Sequence, residues 1–119
     1  MKPQKYSFSE TRKVDLGSKV IYEYPTFSKS LSIAKMVVKG RHPKNPETFI
    51  LEHVCQFVIY ILSGSGKIYV GEGCFDMAVG DAVFVPKEHT FAVEGSLEYI
   101  TVDNPAFFPE QSEEVHEPK

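Results

Sequence analysis

Tryptophan is absent from this 119-residue chain, and cysteine occurs only twice, at Cys55 and Cys74. Two cysteines cannot build a disulfide scaffold, so stability must come from a packed core, and a reducing cytoplasm is the expected compartment. Long hydrophobic runs are missing too. The longest, Phe57 to Leu62, is far below the ~20 residues a membrane-spanning helix needs. The opening residues, MKPQKYSFSETRK, contain no apolar segment, so no secretory signal is expected. Positive charge is not in excess: 13 Lys and Arg stand against 16 Asp and Glu, a formal net charge of -3. Without a basic patch, neither nucleic acid nor an anionic membrane is an expected partner. Internal repeats, low-complexity tracts and a helix-turn-helix are lacking as well.

What is present is apolar and aromatic. Hydrophobic residues make up 42% of the chain, with nine Phe and six Tyr, enough for the core of one domain. Short apolar segments recur between Gly and Pro punctuation. They are Lys19–Tyr24, Ser30–Lys39, Thr48–Leu62 as one or two strands, Lys67–Val70, Cys74–Val79, Ala82–Val85, His89–Val93 and Leu97–Val102. No segment shows a helical period. This spacing predicts an all-β, antiparallel sandwich or barrel. Residues 1–18 read as a polar N-terminal arm or edge element, 19–104 as the barrel, and 105–119 as a loose acidic tail. Arg41–Glu47, with two prolines, reads as a loop.

The most specific stretch is FVIYILSGSGKIYVGEGCFDMAVGDAVFVP, residues 57–86. A strand runs into Ser63-Gly64-Ser65-Gly66, read as a turn. Two more strands follow around a Gly-Glu-Gly turn, then Gly80-Asp81 and a strand ending at Pro86. This order resembles the cupin family, over about residues 30–103. Tyr60-Ile61-Leu62-Ser63-Gly64-Ser65-Gly66 is similar to the end of the family's first motif, and Gly80–Pro86 to the start of its second. The resemblance implies a jelly-roll β-barrel with a pocket inside it, and a homodimer. It also implies two His, a Glu and a third His around a divalent metal. In the family's register those four positions hold Leu51, His53, Phe57 and Phe91 here, so one ligand of four is retained. The second motif's Gly and Asn are lacking too, since Glu88 and Gly95 stand at their positions. A metal cofactor is therefore not expected.

If the strand is regular, Leu51, His53, Cys55, Phe57, Ile59 and Ile61 share one face, which the resemblance points into the barrel. His89, Phe91 and Val93 would line the opposing wall. His53, Cys55, Phe57, His89 and Phe91 are thus the expected ligand-binding set, with His53 and His89 as candidate acid–base catalysts, because imidazole titrates near neutrality. The alternative is a divalent transition metal held by His53, Cys55 and His89, a donor set that suits Zn or Cu. The reading favoured over it takes Cys55 as a small buried hydrophobe and His53 as a hydrogen-bonded histidine. His42 and Glu47 read as solvated loop residues, Cys74 as structural and Tyr60 as facing outward. The facing of Glu98, Tyr99 and Asp103 depends on a register the sequence leaves open.

The expected function is binding of a small polar or carbohydrate-like metabolite in the barrel, with a degenerate metal site. Two alternatives stand beside it. One is a metal-dependent cupin enzyme of dioxygenase or isomerase type. The other is a structural dimer without a ligand.

Overall fold

The structure is a computed structural model and describes residues 2–119. Nine strands form one curled antiparallel sheet: β1 (Arg12–Asp15), β2 (Lys19–Glu23), β3 (Ser32–His42), β4 (Phe49–Glu52), β5 (Gln56–Val70), β6 (Gly73–Met77), β7 (Ala82–Val85), β8 (Thr90–Asn104) and β9 (Ser112–Val115). Two short 3-10 turns, Phe8–Glu10 and Pro109–Gln111, are the only helical elements among the described residues. The sheet order is β1-β2-β3-β8-β4-β9, and β5 pairs with β8, β6 and β7. Among the described residues no helix is long and apolar enough to cross a membrane.

Strand β8 is the spine. Along most of its length it pairs with β3 on one side and β5 on the other. Its burial alternates with the period of two that a pleated strand imposes. Leu97, Tyr99, Thr101 and Asp103 are buried, whereas Glu98, Ile100 and Val102 are not. Phe57, Ile59 and Ile61 of β5 do the same and face them in register. Leu97, Tyr99, Phe57, Ile59 and Ile61, with Val38, Ile68, Val85 and Val93, form the core. Each fully buried Ile or Phe contributes roughly 1.5–3 kcal/mol by leaving water.

Two sequence expectations change, at Ser63–Gly66 and in the acidic tail, and two open alternatives are decided. Ser63–Gly66 is no turn, because β5 runs straight through it, and β8 likewise passes through Glu94-Gly95-Ser96. The glycines are there because the two strands cross too closely for side chains. A Cβ on Gly64 or Gly66 would collide with the carbonyl oxygens of Ser96 and Glu94. Thr48–Leu62 is broken: β4 ends at Glu52 and β5 starts at Gln56. The polar arm contributes a real edge strand, since Arg12–Asp15 pairs with Val20–Glu23. The acidic tail is tied down. Strand β9 pairs with β4, and the Lys119 carbonyl accepts hydrogen bonds from Thr90.

Candidate functional site

The inner face of β8 becomes more polar along its length, from Leu97 through Tyr99 and Thr101 to Asp103. The same curled sheet carries Lys19 and Ile21 of β2 and Met36 of β3, Met36 being the register partner of both Ile21 and Tyr99. Between them is a cavity of about 360 Å³, whose walls include Ile21, Met36, Ile50, Phe57 and Phe91. Into this apolar space project Lys19, His42, Glu52, Tyr99 and Asp103.

The break between β4 and β5 decides which side chains enter. A regular strand would aim His53 inward. Instead the chain steps out of register over His53-Val54-Cys55, and Glu52 takes the inward position. Gln111, buried in the second 3-10 turn, holds this step. Its side-chain oxygen accepts from the backbone N–H groups of Val54 (3.0 Å) and Cys55 (3.1 Å). Its amide donates to the Glu52 carboxylate at 3.2 Å. The His53 N–H donates to the Gln111 carbonyl at 2.9 Å.

Burial sets the protonation of the cavity. Loss of water raises the Glu52 carboxyl to about 7, against the opposing pull of Gln111 and Lys19. Desolvation, with the neighbouring Glu52 charge, raises Asp103 to about 8. Desolvation lowers the Lys19 ammonium to about 8 although both acids favour its charge. His42, bonded through Nδ1 to the Ser18 hydroxyl at 2.8 Å, is held down to about 3 by burial and by the cations Lys19 and Arg41. It is a neutral imidazole at physiological pH. Tyr99 is 1% exposed, and its hydroxyl is the only fully buried side-chain polar atom without a partner among the described residues. Burial pushes its ionisation upward. A buried orphan hydroxyl is costly, and native structures keep few of them. Its residue belongs to the wall of the cavity.

Of the expected set, the structure brings Phe57 and Phe91 to the cavity wall. His53 is outside. Its Nδ1 lies 3.0 Å from Glu88 and its Nε2 2.7 Å from Glu113, and these acids raise its pKa. His89 is also exposed, with Nδ1 3.2 Å from the Lys87 carbonyl. His53, Cys55 and His89 therefore do not converge, because the register step and the exposed turn carry both imidazoles off the inner face. His42, expected to be solvated, closes β3 and is buried. Cys74 is a free thiol, exposed on β6.

At the family's metal positions the fit fails. Phe57 and Phe91 meet edge to face with centroids 4.9 Å apart, and neither ring offers a donor. A different donor group does exist: atoms of Glu52, Cys55 and Asp103 lie within 4.8 Å of one another. The Cys55 thiol there donates to the Pro105 carbonyl at 3.3 Å, and burial pushes its pKa up to about 11.

Lys19, Glu52, Tyr99 and Asp103 were missed as a group. A signal was present in part: Tyr99, Thr101 and Asp103 recur with period two, as do Lys19, Ile21 and Glu23. Nothing local announces the step that turns Glu52 inward.

The sequence matches no family model and no curated protein. Its fold matches solved structures closely. Pac13, described as a unique nucleoside dehydratase, aligns with a TM-score of 0.85 at 19% identity, over 99% of this chain and 95% of that one. A variant of Streptomyces Pac13 with uridine aligns at 0.84 and 18%, over 96% and 92%. An RmlC-like cupin from Shewanella frigidimarina aligns at 0.70 and 23%, over 87% and 93%. The likeness runs through the whole curled antiparallel sheet, and the chain has the cupin fold.

Proposed function

We propose that the barrel cavity binds a small hydroxylated metabolite, nucleoside-like or sugar-like, through Lys19, Glu52, Tyr99 and Asp103, without the family's metal. The observation that carries this reading is the Tyr99 hydroxyl, buried and unpartnered, in a cavity shared with two carboxyls and an ammonium. Apolar walls with a few convergent polar groups are the usual make-up of a small-ligand site, and about 360 Å³ is within the range for one. Pac13, of similar fold, has been seen with uridine, which supports a nucleoside as the first ligand to try. Glu52 and Asp103, protonated near neutrality, would donate to ligand oxygens or move protons on a bound ligand.

Titration of the protein with uridine and with ribose, followed by saturation-transfer NMR and calorimetry, tests this. Binding should occur, and Asp103→Asn should weaken it about tenfold, the loss of roughly one strong hydrogen bond. Absence of binding by either compound at millimolar concentration would refute the reading.

The Glu52–Cys55–Asp103 group favours a second reading, a cation site of mixed oxygen and sulfur donors. Three protein ligands are the minimum for catalytic zinc. Metal analysis of protein purified without an affinity tag separates the two: one equivalent of zinc supports the second. We also propose a homodimer through the outer face of β5 and β7, where Val58, Tyr60, Leu62 and Phe84 are each 41–52% exposed. Light scattering should then report twice the chain mass.

A further inference from the structure

Lys19 is stranger than a binding role requires. It opens β2 on the face that carries Ile21, and its side chain ends in the cavity. The residue is only 9% exposed. Yet among the described residues its ammonium makes no hydrogen bond and no ion pair within 4.0 Å, although the charges of Glu52 and Asp103 act on it. Lysine is rarely buried unless paired, because the ammonium loses its water. The lost hydration is relieved by giving up the proton. With its pKa lowered to about 8, roughly a tenth of Lys19 is free amine at pH 7, against well under 0.1% for an exposed lysine. A free primary amine in a cavity with apolar walls, with acids lining the same cavity, has what condensation with a carbonyl needs.

We propose that Lys19 is a covalent capture group: the cavity takes an aldehyde or ketone form of a hydroxylated ligand and holds it as a protonated imine on the Lys19 amine. This rests on the binding reading above and names the ligand's reactive group.

The step balances without oxidant or reductant. The Lys19 Nζ lone pair attacks the carbonyl carbon, forming a C–N bond, and the carbonyl oxygen becomes a hydroxyl. The C–O bond then breaks. The oxygen leaves as water with a proton supplied by the neutral carboxyl of Asp103 or Glu52, and nitrogen forms the double bond. Amine, carbonyl and one proton give a cationic imine and water. The carboxylate left behind lines the same cavity as the new positive charge, and the two attract.

Reductive trapping tests the proposal on the wild-type protein. Glyceraldehyde with sodium cyanoborohydride converts an imine into a stable secondary amine, and peptide mass spectrometry locates it among the eleven lysines. Lys19 should be modified at least tenfold faster at pH 7 than exposed Lys67 or Lys87, and ribose or uridine should protect it. Asp103→Asn should slow trapping without slowing modification of Lys67. If Lys19 reacts no faster than the exposed lysines while uridine or ribose still binds, the imine falls and the binding reading stands. If neither binding nor selective trapping occurs, both fall.

Discussion

At the residue scale the most diagnostic side chain is Tyr99. Its hydroxyl is buried without a partner, so the unliganded protein carries a desolvation cost of about 1–3 kcal/mol there. Tyr99→Phe should therefore leave the free protein as stable or about 1 kcal/mol more stable in urea denaturation, while weakening uridine binding about tenfold. A merely structural tyrosine would lose stability on the same change. The sequence shows Tyr99 on a strand but cannot show that the ring faces inward, since that depends on the pairing of β8 with β3 and β5. Phe57 and Phe91 were legible because a resemblance gave them a register, and they do line the cavity. His53 was misread from the same register, because three residues of irregular backbone, 53–55, separate β4 from β5.

At the element scale two devices matter. The first is the crossing of β5 and β8 at Gly64, Gly66 and Gly95. Gly95 has φ +127°, and a Cβ there would lie 2.7 Å from Gly66 and Ser65 backbone atoms. Gly95→Ala should cost upwards of about 2 kcal/mol, since neighbouring backbone must move and the conformation is itself strained. Gly40→Ala, with positive φ but open space, should cost nearer to about 1 kcal/mol. Equal losses in denaturant melts would count against steric crowding as the reason. The second device is the Gln111 clasp across the step at residues 53–55. Gln111→Ala leaves two backbone N–H groups and the Glu52 carboxylate without their partner. It should destabilise by about 2–3 kcal/mol. Strand positions were largely readable from apolar alternation. What was not readable was continuity: a Gly-rich run spells a turn locally, and only the crossing partner shows it to be strand.

At the scale of the whole molecule, the cavity gives stability a definite pH dependence. Asp103 and Glu52 hold protons in the folded state at pH values where the unfolded chain has released them. Stability is therefore greatest at low pH with respect to these two and is lost as pH rises through about 7 and 8. His42, with its folded pKa lowered to about 3, acts oppositely, but only below its unfolded value of 6.5. Lys19, lowered from 10.5 to about 8, adds a rising contribution only above about 8. Between pH 6.5 and 8 the two acids dominate, and stability should fall by about 1–2 kcal/mol. Thermal melts across that window check the slope, and Asp103→Asn should flatten most of it. A rise in melting temperature over the same window would show that the acids are not protonated in the fold. Composition pointed to a compact β domain. It did not indicate that buried acids would govern its pH response, because that depends on groups from β2, β4 and β8 meeting in space.

The clasp ties together two distant parts of the chain. Gln111 and Glu52 are 59 positions apart, and β9 follows Gln111 directly. A protease cutting between Asn104 and Gln111 would leave the spine and its Tyr99 intact, yet free the acid on β4 to swing away. Cleavage in that segment should therefore weaken uridine binding before the barrel unfolds, as ligand titration beside circular dichroism of the nicked protein would show.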